Sequence, residues 1–161
     1  MNDATGLVAR WRSLSPQLLS VFRIATAFLF MQYGTAKLFA FPAAVMPGGG
    51  TASLMSLAGV AGTLETFGGA LVLVGLFTRP VAFVLSGLMA VAYFMAHAPQ
   101  GFWPVLNGGS PAAQYAFLFL YLSAAGAGPW SLDAIRSRQH ARGGASERVA
   151  PPRDAGPKQA V

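Results

Sequence analysis

Long runs of apolar residues dominate the hydrophobic pattern of this chain. They cover residues 18–39, 56–77, 81–97 and 112–127. A helix needs roughly 20 residues to cross a hydrocarbon core about 30 Å thick, so each run predicts a membrane-spanning helix. The last two runs are short and need interfacial residues beside them. The pattern therefore predicts an all-α integral membrane protein, a four-helix bundle.

Residues that break helices separate the four runs. Prolines and a triple glycine lie within residues 42–50, a predicted turn covers residues 78–80, and prolines bound residues 99–111. These breaks confirm that the apolar runs are separate elements rather than one long hydrophobic stretch.

The ends of the chain differ from its centre in composition. We divide the chain into an N-terminal segment, residues 1–16, a helical membrane domain, residues 17–133, and a tail, residues 134–161. The tail is rich in Gly, Pro, Ala and Arg and has no apolar periodicity. It is predicted to be a disordered basic segment in the cytoplasm, close to anionic lipid.

Charged residues are scarce, which excludes a soluble domain. They make up 10% of the 161 residues, against roughly 25% in soluble domains. The formal net charge is +6, but the basic residues flank apolar runs, so the predicted partner is the lipid bilayer and not nucleic acid. The chain has no cysteine, which excludes thiol redox chemistry and thiolate metal or iron–sulfur sites within it.

The basic residues also predict the orientation in the membrane. They flank the first run, the turn between the second and third runs, and the end of the fourth run: Arg10, Arg12, Arg79, Arg136, Arg138 and Arg142. The loops at residues 42–53 and 98–111 carry no charge. The positive-inside rule therefore places both termini in the cytoplasm.

Ionisable residues at membrane depth normally face the interior of a bundle, so they are the candidate functional groups. Arg23, Lys37, Glu65 and His97 are of this kind. Helical rise puts Arg23 and Lys37 each roughly 10 Å from Glu65 in height, so the rise does not choose its partner. Glu65 either joins two helices through an ion pair or takes part in a ligand or proton site. One histidine in the membrane region predicts no metal or haem site.

A short pattern occurs twice. Tyr33 precedes Lys37 by four residues, and Tyr93 precedes His97 by four, each as Tyr-x-x-Ala-basic. Residues four apart share a helix face, so each helix presents a phenol beside a nitrogen base. The pattern is short enough to arise by chance. In the second run, Gly68 and Gly69 follow Glu65 on its face and predict close helix packing.

Several ordered motifs resemble those of the DoxX family. They are Phe22-Arg23-Ile24 with Gly34-Thr35-Ala36-Lys37-Leu38-Phe39, Ala61 to Gly69 with Gly75 to Arg79, Ala92-Tyr93-Phe94 with His97-Ala98-Pro99, Gly101 to Pro104 with Asn107-Gly108-Gly109, and Trp130 to Asp133. The resemblance covers about residues 18–133. It implies a small four-helix protein of the bacterial inner membrane, associated with quinone-linked redox systems or oxidative-stress enzymes.

The resemblance also assigns the polar positions of the family to residues of this chain. The polar positions of the family correspond to Arg23, Lys37, Glu65, Arg79, His97 and Asn107. Relatives often have a glutamate directly after Asn-Gly-Gly, whereas this chain has Ser110. A role for a carboxylate at that position is therefore not expected here.

Three functional hypotheses follow. The first is a membrane subunit of a redox system with a quinone or quinol site, in which Lys37 and His97 bind oxygens, Tyr33 and Tyr93 line the ring, and Glu65 exchanges protons. Asn107 is the sixth candidate ligand-binding residue. Arg23 and Arg79 are assigned structural and topogenic roles. The second is a non-enzymatic scaffold that binds soluble redox enzymes through the basic tail. The third is a pathway for a small solute or protons through Glu65 and His97.

Overall fold

The computed structural model describes residues 2–149 of the chain. The helices are α1 (Asn2–Phe39), α2 (Leu57–Val74), α3 (Thr78–Gln100), α4 (Ser110–Ala125) and α5 (Leu132–Val149). All regular secondary structure within residues 2–149 is helical. The predicted all-α class is therefore confirmed.

Three of these helices are long and apolar enough to cross a membrane: α1 over Gly6–Phe39, α2 and α3. Helix α4 has 16 residues and is shorter. Large apolar side chains on the outside of the bundle are exposed, for example Phe83 at 66% and Phe117 at 72%. Such an apolar exterior suits lipid rather than water. The protein is a multi-pass membrane protein, and a fourth crossing by α4 stays a prediction.

The helices pack as two neighbouring pairs, α1 with α2 and α3 with α4, and the pairs meet through α1 with α4 and α2 with α3. The buried core between them is apolar and consists of Ala27, Phe30, Val72, Ala82, Leu85, Met89, Phe119 and Leu122. The rings of Phe30 and Phe119 meet edge to face with centroids 4.7 Å apart. This aromatic contact joins α1 to α4 at the centre of the bundle.

Glycines allow α1 and α2 to approach closely. A Cβ atom added at Gly34 would lie 2.4 Å from Thr66 Oγ1, and one added at Gly69 would lie 2.5 Å from Met31 Cγ. At Gly68 it would lie 2.9 Å from Leu85 Cδ2, on α3. The structure thus agrees with the packing role that the sequence predicts for Gly68 and Gly69.

The structure differs in detail from the sequence prediction at two places, the turn between α2 and α3 and the start of α1. The turn between α2 and α3 consists of Gly75 to Phe77, with positive φ at both of these residues, 70° and 51°. Helix α3 already begins at Thr78, so Pro80 lies in its first turn, where its missing N–H has no helical partner in any case. Helix α1 begins at Asn2, well before the predicted span, so the N-terminal segment continues it.

The predicted disordered tail differs from the structure in its first part. Residues 132–149 form α5, and the remaining residues, 150–161, lie outside the described residues. The helix begins at a cap in which the Ser131 hydroxyl accepts a hydrogen bond from the Ala134 N–H at 3.1 Å. Alanine and arginine are strong helix formers, which favours a helix despite the lack of an apolar face.

Candidate functional site

An ion pair between α1 and α2 is the centre of the candidate site. The Lys37 ammonium donates hydrogen bonds to both carboxylate oxygens of Glu65, at 2.6 and 2.8 Å. The Glu65 side chain is 3% exposed and the Lys37 side chain 25%. The partner that the sequence left open is therefore Lys37. Contact is possible because Lys37 Cβ lies 3.1 Å from the position of a Cβ at Gly62, where no side chain intervenes.

Helices α2 and α3 each change to a π-helical turn where they carry a predicted site residue. The turn in α2 covers Leu64–Gly68 and holds Glu65, and the turn in α3 covers Tyr93–His97 and ends at His97. Within the turn of α2, the Thr66 hydroxyl donates a hydrogen bond to the Gly62 carbonyl at 2.8 Å, which competes with regular helical bonding. Such single-turn irregularities occur frequently at functional sites.

The ion pair borders a cavity of about 290 Å³, called the inner cavity below. Its polar wall consists of Tyr33, Lys37, Glu65 and His97, and its apolar wall includes Phe30, Met89 and Ala112. Side chains from α1, α2, α3 and α4 therefore meet at one place. Four of the six residues predicted for ligand binding lie around this cavity.

The other two predicted residues, Tyr93 and Asn107, hold the loop between α3 and α4 instead of lining the cavity. The Tyr93 hydroxyl donates to the Phe102 carbonyl. The Asn107 amide donates to the Gly101 carbonyl at 2.5 Å, and its side-chain oxygen accepts from the Gly109 N–H at 2.8 Å. The two Tyr-x-x-Ala-basic patterns are therefore not equivalent in the structure.

Asn107 also orients His97. The backbone carbonyl of Asn107 lies 3.1 Å from His97 Nδ1, and a carbonyl accepts hydrogen bonds only, so Nδ1 carries the proton. The Tyr93 ring stacks beside the imidazole, with centroids 6.4 Å apart. Because Nδ1 is engaged, Nε2 is the nitrogen of His97 that a ligand would meet.

A second, larger space adjoins the inner cavity. This side groove has a volume of about 690 Å³ and lies between α1, the segment of residues 42–46 and Tyr115. It shares Tyr33, Lys37 and Tyr115 with the inner cavity, and the rest of its lining is mostly apolar. The sequence did not single out Tyr115 as a site residue. The available signal was its height in the membrane, which helical rise puts close to that of Tyr33 and Glu65.

Arg23 and Arg79 lie at the opposite end of the bundle and bind backbone carbonyls. Arg23 is fully buried and donates to the carbonyls of Val72, Leu73, Ala127 and Trp130 at 2.5–2.8 Å. Arg79 donates to the Ala124 carbonyl at 2.6 Å. These contacts join α1 and α3 to the C-terminal ends of α2 and α4 and are consistent with the structural role predicted for both arginines.

Asp133 completes this end. Its carboxylate accepts hydrogen bonds from the N–H groups of Phe77 and Thr78, each at 2.9 Å, and so caps the N-terminus of α3. The start of α5 is thereby attached to the start of α3, whose first turn contains Arg79. In the described part of the chain, no three His, Cys, Asp or Glu side chains gather as a metal site would require.

The fold and the site define a class of protein. It is a small, multi-pass, all-α membrane protein in which polar side chains from several helices surround a cavity inside the bundle. The DoxX family profile matches residues 18–98, which include α1 from residue 18 onward, α2 and most of α3. The chain belongs to the DoxX family.

A protein of Haemophilus influenzae strain Rd is 45% identical to this chain over 121 residues, which cover 73% of this chain and 90% of the relative. That relative is described as an uncharacterized protein. No solved structure matches this chain.

Proposed function

We propose that this chain is a membrane subunit of a quinone-linked redox or oxidative-stress system and binds the ring of a quinone or quinol in the inner cavity. The observation that carries the proposal is the convergence of Tyr33, Lys37, Glu65 and His97 on one cavity. At about 290 Å³, this cavity is at the small end of ligand pockets and suits a single ring.

The lining has the hydrogen-bonding groups that such a ring needs. The Lys37 ammonium has a third N–H beyond the two that bind Glu65, and it donates to a ligand oxygen. His97 offers Nε2 and Tyr33 its hydroxyl. Glu65, next to Lys37, exchanges the protons that accompany quinone reduction or quinol oxidation. The apolar side chains of Phe30 and Met89 contact the faces of the ring.

The electrons are carried by the quinone and by a partner protein. The chain contains no cysteine to bind an iron–sulfur cluster or to form a redox-active thiol. Its role in the redox step is therefore to bind, orient and protonate the quinone. The partner subunit, whether soluble or in the membrane, supplies the electron donor or acceptor.

The solute or proton pathway is less favoured. The fully buried side chains of Phe30, Leu85 and Phe119 fill the bundle between the inner cavity and Arg23. A dry apolar layer of this kind opposes the passage of ions. The scaffold hypothesis stays open, since it concerns the surface of the protein and the tail rather than the cavity.

We also propose that the protein lies in the inner membrane with both termini in the cytoplasm. The structure groups Arg79 with the start of α5, where Arg136 lies over the Phe77 ring at 4.8 Å. The positively charged flanks thus belong to one end of the bundle, the end that the positive-inside rule assigns to the cytoplasm.

The test is binding of a tail-less benzoquinone to the full-length protein in detergent, measured by calorimetry. We expect Lys37→Ala and His97→Ala each to weaken binding about tenfold or more, the effect of losing one hydrogen bond to a buried ligand. His140→Ala is the matched control, because His140 lies on exposed α5, and it should leave the affinity unchanged. Unchanged affinity in folded Lys37→Ala and His97→Ala would refute the proposed site.

A further inference from the structure

The inner cavity and the side groove share three lining residues. Tyr33 and Lys37 from α1 and Tyr115 from α4 line the two spaces, and the Tyr33 and Tyr115 rings lie 5.9 Å apart, edge to face. The Lys37 ammonium lies on the inner side, bound to Glu65, while a quarter of its side chain stays exposed. A molecule in one space therefore touches the same three residues as a molecule in the other.

The two spaces differ in size and chemistry. The inner cavity holds about 290 Å³ and has the buried carboxylate, the ammonium and the imidazole in its wall. The side groove holds about 690 Å³, and apart from Gln32 and the shared residues its lining is apolar: Leu29, Ala36, Pro42, Ala43, Val45 and Met46. Leu29 is 53% exposed on the outside of α1, so the groove opens toward the lipid-facing side of the bundle.

We infer that the ligand of this site is an amphiphile that enters from the bilayer, with its polar ring in the inner cavity and its apolar chain in the side groove, across Tyr33, Lys37 and Tyr115. The inference rests on the proposed function and narrows its substrate class to quinones or quinols with a long apolar tail. A small ring alone fills the inner cavity and leaves the groove to lipid. A whole phospholipid does not fit the inner cavity.

The physical basis is the division of the ligand between two environments. The polar ring needs the donors and acceptors of the inner cavity, because an unpaired polar group in hydrocarbon costs free energy. The chain needs only apolar contact, which the groove provides beside the membrane. The segment of residues 42–46 forms the far wall of the groove and so decides whether the chain fits.

The test uses a tryptophan to fill the groove. Ala43 lines the groove, whereas its neighbour Ala44 does not, and both are exposed, so Ala43→Trp and Ala44→Trp form a matched pair. Affinities for a tail-less and a long-tailed benzoquinone are measured in the same detergent for the wild-type protein and both variants. Comparing variants for each ligand cancels the partitioning of the long-tailed ligand into micelles.

We expect Ala43→Trp to weaken binding of the long-tailed quinone about tenfold, as steric blocking does, and to change binding of the tail-less quinone less than twofold. Ala44→Trp should change neither affinity. An equal effect of Ala43→Trp on both ligands, or no effect on either, overturns the inference and leaves the proposed function standing. If neither quinone binds the wild-type protein, the proposed function itself fails.

A second measurement does not depend on how the variants fold. A long-tailed quinone with a photoreactive diazirine on its tail is irradiated with the wild-type protein, and the labelled peptides are identified by mass spectrometry. Labelling of residues 42–46 and the facing part of α1 is expected. Labelling spread over the lipid-facing side chains of α3 and α4 instead would overturn the inference.

Discussion

Two cations at membrane depth, the buried Arg23 and the partly exposed Lys37, are stabilised in different ways. Arg23 donates to four backbone carbonyls, as the planar fork of a guanidinium allows. Lys37 forms an ion pair with the Glu65 carboxylate. A carbonyl cluster only holds helix ends together, whereas an ion pair next to a cavity can change its partners when a ligand arrives. This difference agrees with the structural role predicted for Arg23 and with the functional role proposed for Lys37.

At this scale the strength of the Lys37–Glu65 pair is testable. Lys37→Met leaves Glu65 buried without a partner, so we expect it to lower the free energy of unfolding by about 3–5 kcal/mol. The double variant Lys37→Met/Glu65→Leu removes both charges and should recover most of this loss. The measurement is unfolding in mixed detergent micelles containing dodecyl sulfate. A coupling free energy near zero between Lys37 and Glu65 in the double-mutant cycle would show that this ion pair does not stabilise the fold.

At the scale of the helices, the site depends on how closely α1 and α2 approach. Glycines occupy the contact between these two helices. Because Gly62 has no side chain, the Lys37 side chain can pass it and reach Glu65. The π-helical turns then shift the register of α2 and α3 so that Glu65 and His97 face the same interior. Packing and helix irregularity together create the cavity.

Gly34 and Gly87 test the close approach of these helices. A Cβ at Gly34 would lie 2.6 Å from the Thr66 backbone nitrogen, whereas one at Gly87 of α3 meets nothing within 4 Å. We expect Gly34→Ala to lower the free energy of unfolding by about 1–3 kcal/mol through overpacking. Gly87→Ala should be neutral or stabilising by up to about 1 kcal/mol, because alanine favours the helix. Equal effects of the two substitutions in the micelle assay would exclude close packing at Gly34.

At the scale of the whole molecule, the bundle has two unlike ends. One end contains Arg23, Arg79 and Asp133, which attach α5 and the loop before it to the ends of the membrane helices. The other end contains the inner cavity, the side groove and two loops without charged residues. The proposed orientation therefore places the ligand site in the outer half of the membrane.

The absence of cysteine makes this orientation simple to test. Val105 lies in the uncharged loop and is 80% exposed, and Ser137 is exposed on α5. In spheroplasts, whose inner membrane is intact, a membrane-impermeant maleimide should label Val105→Cys but not Ser137→Cys. After permeabilisation the maleimide should label both variants. The wild-type chain has no cysteine and should not be labelled under either condition. Labelling of Ser137→Cys before permeabilisation would reverse the proposed topology.

The sequence by itself determined the class of the protein and predicted most residues of the candidate site. Apolar runs long enough to span a membrane must form helices, because lipid provides no hydrogen-bonding partner for the backbone N–H and C=O groups. Ionisable groups in those runs must point inward for the same reason, which is why Lys37, Glu65 and His97 were identified in advance. Both conclusions depend on the solvent and the local chain alone.

Only the tertiary structure decided the partner of Glu65, the roles of Tyr93 and Asn107, and the presence of Tyr115 in the site. These depend on the π-helical turns and on glycine contacts between helices, neither of which regular helical rise predicts. The tail shows the same limit: composition predicted disorder, while a cap at Ser131 and the attachment of Asp133 to α3 start a helix. Contacts between distant residues fix such details, and a pattern along one chain does not contain them.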